Sequence, residues 1–276
     1  MKIAIVTDST SDLTEEEARQ HNIQVIPAIL VMNGQQYLDG QGMSREDFYD
    51  QLPTQNPPPS TASPSSGMFT EVYRSLFAQG VEQIVSIHIA SSLSGIVNAA
   101  RVAAEHFSER VQVVDSGQLS MGLGYQALAA AKAALDGNLQ QVHEAIESIQ
   151  PRITLVAMLD TLEQLKRSGR VSWLQTSLGS ILRIKLFVEV KKGSVLRIGE
   201  SRTRKKGILR LSELLSELGP LEQLTIGHTN ALQDATQLAE LFAAQVSTTP
   251  LIRNVTTVIG THIGVRGLGF IAVKAE

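Results

Sequence analysis

The first half of this sequence alternates short β-rich runs with runs of helical periodicity, and that alternation most narrows what the chain can fold into. Lys2–Val6, Gln24–Met32, Gln83–Ile89 and Val111–Val114 are short, rich in Val and Ile, and predict strands. Between them Met68–Ala78 and Ile96–His106 have helical patterning, and Met121–Leu135 is a helix rich in Ala and Leu, closed by Gly137. Thr14 with Glu17 has the spacing of a capping box, and Asn138 with Gln141 opens a helix that Pro151 stops. Strands joined through helices imply a parallel sheet covered on both faces, because each crossover lays its helix against the sheet.

The second half changes character. Leu155–Met158 leads into Asp160-x-x-Glu163, which has capping-box spacing. Lys185–Val190 and Ser194–Gly199 flank Lys191-Lys192-Gly193, the pattern of a hairpin with a glycine turn. A helix is expected over Lys205–Leu218 and a strand over Gln223–His228. Asn230 with Gln233 opens a further helix, and strands are expected at Val255–Ile259 and Gly267–Lys274. The chain therefore reads as an α/β protein of two domains, a parallel-sheet α/β domain over residues 1–155 and an α+β domain over residues 156–276. Its 276 residues are long for one core and comfortable for two.

Composition excludes several functions. The net charge of −3 lacks the basic balance of a nucleic-acid-binding surface. Cysteine is absent, which removes disulfides, thiolate catalysis and thiolate metal sites and suits a reducing cytoplasm. The six histidines are scattered, with no two close enough in sequence for a local metal motif, and nothing singles out carboxylates such as Asp8 and Asp39 as metal ligands. Asp8 interrupts the opening apolar run before a signal-peptide core could form. No apolar stretch reaches the roughly 18 residues of a membrane helix; the best candidate, SILRIKLFVEV, is broken by Arg183 and Lys185. A soluble, cytoplasmic protein without cofactor or metal is expected.

Hydroxyls gather where the expected parallel strands end: Thr7, Ser9 and Thr10 after the first, and Ser91, Ser92 and Ser94 after Gln83–Ile89. Loops at the carboxyl ends of parallel strands line the usual ligand crevice, and hydroxyls there suit an anionic head group. The plainer reading is that Ser92 or Ser94 caps the following helix. Ser94-Gly95 lacks the flanking glycines of a nucleophile elbow, although a serine hydrolase using His262 or His228 remains open. Gly122-Leu123-Gly124 lacks the third glycine of a dinucleotide fingerprint. In Arg202-Thr203-Arg204-Lys205-Lys206 the cations oppose the dipole of the helix they open, which favours an anionic partner. Residues 53–66, PTQNPPPSTASPSS, hold five prolines among small polar residues and by composition read as a linker.

Taken in order, these segments resemble the DegV family over essentially the whole chain. Val6-Thr7-Asp8-Ser9-Thr10 is similar to its opening DST motif, Thr61-Ala62-Ser63-Pro64-Ser65 to its T-S-Q-P-S loop, and Ser91-Ser92-Leu93-Ser94-Gly95 to its S-x-L-S-G turn. Val114-Asp115-Ser116 with Ser120–Gly124, Leu162…Leu165-Lys166…Gly169-Arg170-Val171-Ser172, Arg202…Lys205-Lys206 and Gly260-Thr261-His262-Ile263-Gly264 continue the series. Departures fall at Ala62 and Ser63, at Ile96, and at Val265-Arg266-Gly267.

The resemblance implies a long-chain fatty acid such as hexadecanoate buried between two domains, its carboxylate held by Thr61 and Ser94. It further implies a separate fatty acid kinase that phosphorylates the presented carboxylate for phospholipid synthesis, the chain itself being no enzyme. Arg202 and His262 are then expected near the head group or facing the kinase. A lipid sensor or storage module without a kinase is the alternative, and a serine hydrolase the more distant one. Under this resemblance the proline-rich loop becomes part of the head-group site.

Overall fold

The computed structural model describes residues 1–170 and 184–276. In chain order its elements are β1 (Ile3–Asp8), α1 (Glu15–Gln20), β2 (Ile23–Ile26), β3 (Ile29–Met32), β4 (Gln35–Leu38), α2 (Arg45–Gln51), β5 (Ser60–Ala62), α3 (Ser66–Ala78), β6 (Gln83–His88), α4 (Ile96–Ala104), β7 (Val111–Asp115), α5 (Met121–Ala134) and α6 (Leu139–Ile149). There follow β8 (Ile153–Leu159), α7 (Glu163–Ser168), β9 (Lys185–Lys191), β10 (Ser194–Ser201), α8 (Arg204–Ser216), β11 (Leu221–His228), α9 (Leu232–Phe242), β12 (Leu251–Asn254), α10 (Thr257–Ile263) and β13 (Leu268–Lys274). The chain divides into two compact units, one of residues 1–29 and 62–151, the other of residues 30–61 and 152–276. A single cut near residue 155 does not anticipate that residues 30–61 join the later half.

The first unit is built on a sheet of order β2-β1-β6-β7 in which every pairing is parallel. Ala4–Val6 and Ile84–Ile87 are buried, the near-continuous burial of strands covered on both faces. Thr14 and Glu17 form the expected capping box at α1, each satisfying the other's free backbone N–H. Asn138 caps α6, accepting from Gln140 N and Gln141 N. The strand expected over Gln24–Met32 is two strands: β2 belongs to the parallel sheet and β3 to a separate three-stranded sheet of order β4-β3-β5. Pro27 stands between them and, without an N–H, cannot continue a ladder.

The second unit holds a mixed sheet of order β10-β9-β8-β13-β11-β12. β9 and β10 form the expected hairpin, with Lys191 paired to Ser194 and both turn residues at positive φ, Lys192 at 48° and Gly193 at 76°. A two-residue turn of that kind matches the twist of its flanking strands. Met158, Phe187, Leu211, Leu224, Ile226 and Phe270 pack into the main core of this unit. Leu30, Met32, Phe48, Tyr49 and Leu52 form another cluster, with Val265 packed against it, which is why residues 30–61 belong here.

Two expectations fail in this unit. Val255–Ile259 is no strand: β12 ends at Asn254, and Thr257 begins α10. The hydroxyls of Thr256 and Thr257 donate to the buried Asp39 carboxylate at the start of that helix, so tertiary bonding overrides the β-branched run. Asp160 caps nothing either. α7 starts at Glu163 without a side-chain cap, while Asp160 accepts from Lys185 Nζ at 3.0 Å and Arg204 at 3.1 Å. Val171, Ser172 and the start of the SILRIKLFVEV run lie outside the described residues.

Candidate functional site

In the first unit β1 has β2 on one side and β6 on the other, so the strand order reverses at β1. Crevices at such a switch point, beyond the carboxyl ends of the strands, are where open α/β sheets bind ligands. Asp8 closes β1 and ties the two strand ends together. Its Oδ1 accepts from Thr10 N at 3.0 Å and from the Thr10 hydroxyl, and its Oδ2 accepts from Ile89 N at 3.1 Å. The same Oδ2 lies 3.0 Å from His88 Nδ1, and His88 Nε2 lies 2.7 Å from Ser86 Oγ, itself 2.8 Å from Tyr73 OH.

This Asp8–His88–Ser86 order has the look of a nucleophile relay, but Asp8, Ser86 and His88 are all fully buried. A substrate cannot reach Ser86, and its hydroxyl is shared with Tyr73, whose pKa burial pushes up. One proton per bond, passed from Tyr73 to Ser86 to His88 to Asp8, satisfies the whole chain. Buried polar groups so matched fix geometry. Here they hold the start of the turn that carries Ser91–Ser94.

Within that turn Leu93 N and Ser94 N donate to Ala90 O, and Ser91 N donates to Asp115 Oδ2 at 3.2 Å. Ser94 is half-buried and is not the N-cap of α4; Gly95 is, with no side-chain cap. Ser94 Oγ meets Ile96 N at 3.4 Å, at the long end for such a bond, and Ser63 Oγ at 3.3 Å. Its hydroxyl is therefore not consumed by helix capping.

In the second unit Thr61, on β5, and His262, on α10, meet with Oγ1 2.9 Å from Nε2. Both are half-buried. His262 sits in the last turn of a helix whose start is fixed by Asp39 and by Tyr49 OH donating to Val255 O at 2.7 Å. Gly260 is required there, because a Cβ would overlap the Tyr49 ring. Burial lowers the His262 pKa to about 4, with the positive charge of Arg170 adding to the effect. Near neutral pH the imidazole is uncharged. A cavity of about 520 Å³ opens between the proline-rich loop and α7, bordered by Pro53, Pro58, Pro59, Gln164 and Thr261.

Arg202 is exposed in the turn between β10 and α8, where Thr203 caps the helix through Lys206 N. Its neighbour Arg204 turns inward to Asp160, to Asp234 and to the carbonyl of Arg266. The sequence singles out Thr61, Ser94, Arg202 and His262 as candidates, but it does not announce the bonds of Asp39, His88, Arg204 and Asp160, whose partners lie far away in the chain. Among the described residues no group of His, Cys, Asp and Glu could hold a metal ion, and no helix is long and apolar enough to cross a membrane.

Comparison with known proteins agrees over the same span. The model of the DegV family, described as a family of uncharacterised proteins, matches residues 2–275. A DegV domain-containing protein of Listeria innocua is 33% identical over 277 residues, covering 98% of each chain. Among solved structures, a DegV family protein from Thermus thermophilus, described by its fatty acid binding, superposes with a TM-score of 0.91 at 28% identity, covering all of both chains. DegV of Bacillus subtilis, described as a fatty acid binding protein, gives 0.87, also at 28% identity and over all of both chains.

Proposed function

The chain belongs to the DegV family, and from that premise we propose that it binds one long-chain fatty acid without covalent chemistry and presents the carboxylate to a separate kinase, which forms the acyl phosphate. Full-length likeness to the fatty-acid-binding Thermus structure supports the binding step of this reading. In it the chain is a cytoplasmic carrier and not an enzyme by itself.

Thr61 and Ser94 are the carboxylate's donors in this proposal. A threonine hydroxyl has one proton, so Thr61 can donate to a ligand only by accepting from His262. The neutral imidazole can do so through Nε2–H, at the 2.9 Å already present. A hydrogen bond from a hydroxyl to a charged acceptor is shorter and stronger than a neutral one, which suits these groups to orienting the head. The tail supplies affinity. About fifteen carbons at ~0.8 kcal/mol each give on the order of 12 kcal/mol before association and ordering costs.

Arg202 then serves transfer. Phosphorylating a carboxylate brings one anion toward another, and a guanidinium fork stabilises the charge that gathers as they meet. Native mass spectrometry before and after organic extraction tests the binding step. Protein that carries no fatty acid and takes up neither added palmitate nor oleate overturns the proposal. Incubation with ATP, fatty acid and a candidate kinase separates a carrier, which yields acyl phosphate, from a sensor or store, which does not.

A further inference from the structure

We propose that Ser63 makes Ser94 a dedicated hydrogen-bond donor and thereby sets the preference of the head-group site for an ionised carboxylate over an uncharged head of equal chain length. The inference rests on the carrier reading above. A serine hydroxyl has one proton to give and two lone pairs with which to accept. At Ser94 Oγ, Ile96 N–H approaches at 3.4 Å and Ser63 Oγ stands at 3.3 Å.

Either serine can be the donor of that pair. When Ser94 donates to Ser63, its only proton is used and it has none for an anion. When Ser63 donates, both lone pairs of Ser94 face donors and the proton is its one remaining capacity. A carboxylate only accepts, so it selects the second arrangement, in the order Ser63 to Ser94 to ligand. Accepting from Ser63 also polarises the Ser94 O–H, and the gain is larger toward a charged acceptor than toward a neutral oxygen.

Local structure keeps Ser63 in place. It precedes Pro64, which restricts its backbone to extended conformations. Pro64 is buried, and Ser65 caps α3 through Met68 N at 3.3 Å. Across the gap Gly95 has no side chain, and a Cβ there would already touch Ser63 Oγ at 3.4 Å. Because Ser63 is exposed, water competes for its proton and the effect is modest.

Affinities for hexadecanoate and hexadecanol, measured on the full chain and on Ser63→Ala, Ser63→Thr, Ser94→Ala and the double alanine variant, test this. Ser63→Ala is expected to lower the preference for hexadecanoate over hexadecanol about three- to tenfold. Ser63→Thr, which keeps the hydroxyl, should restore it, and Ser63→Ala should add nothing once Ser94 is alanine. An unchanged preference in Ser63→Ala overturns the inference, and so does an equal loss with and without the Ser94 hydroxyl. A wild-type chain that takes up no hexadecanoate overturns the carrier reading itself, and this inference with it.

Discussion

The hydroxyl of Thr61 and the imidazole of His262 meet at 2.9 Å although 201 positions separate them in the chain. Thr61 lies on a three-residue strand and His262 near the end of a seven-residue helix, elements too short to be stable alone. Their meeting depends on what holds each in place, and several expectations follow.

Because burial keeps His262 neutral down to about pH 4, an unfolded chain takes up a proton there first, near the ordinary imidazole pKa of ~6.5. The contribution of His262 to stability is complete above about pH 6.5 and falls as the pH drops from there to about 4, by on the order of 3 kcal/mol in all. Urea denaturation of the ligand-free protein across that window should show the decline, and His262→Gln should flatten it. A parallel decline in the variant would place the titrating group elsewhere.

Thr61→Val and Ser94→Ala should each weaken hexadecanoate binding about ten- to a hundredfold, the usual range for losing a donor to a charged group. The methyl ester, which lacks the charge, should be much less sensitive to either change. Calorimetric titration with both ligands measures this. Wild-type affinity in both variants would show that the carboxylate lies elsewhere.

On the carrier proposal, Arg202→Ala should keep its fatty acid yet support much slower acyl-phosphate formation with a candidate kinase. Its side chain is exposed in a turn, so its removal leaves the packing of α8 intact. Single-turnover assays on lipid-loaded protein separate the two effects. Loss of the lipid would move Arg202 into the binding site, and normal turnover would remove it from the mechanism.

Gly260→Ala should destabilise the chain by about 1–3 kcal/mol, as overpacking a filled interior does. The added methyl would overlap the Tyr49 ring, which donates its hydroxyl to Val255 O and cannot retreat without losing that bond. Thermal melting measures the loss. Weaker lipid binding in the folded variant would show that the displacement of α10 reaches His262.

What could be read in the sequence was local. Thr14 and Glu17, Asn138, and the Lys192-Gly193 turn specify their structures within a few residues, and all three form. The reading of Val255–Ile259 failed because its β-branched residues suit a strand in isolation, whereas the helix is held by Asp39 across 217 positions. Asp160 failed for the same reason: capping spacing is visible nearby, but Lys185 and Arg204 are not. Of the candidate site, the hydroxyls stood out as motifs. Their partners did not, since nothing near His88 in the sequence announces Asp8, and nothing near Ser94 announces Ser63.

The placement of residues 30–61 in the second unit sets a schedule for a chain made from its N-terminus. Asp39 and Tyr49 are synthesised early, but their partners at 255–257 come more than 200 positions later. At ~5–20 residues per second that is a wait of roughly 10–40 s. Throughout it Phe48 and Leu52 lack part of their packing and Asp39 lacks its threonines. The nascent chain thus carries an apolar segment in search of cover until residues 255–265 emerge. Prematurely ended products, missing only the final two strands and α10, would keep that segment exposed and be marked for aggregation or proteolysis.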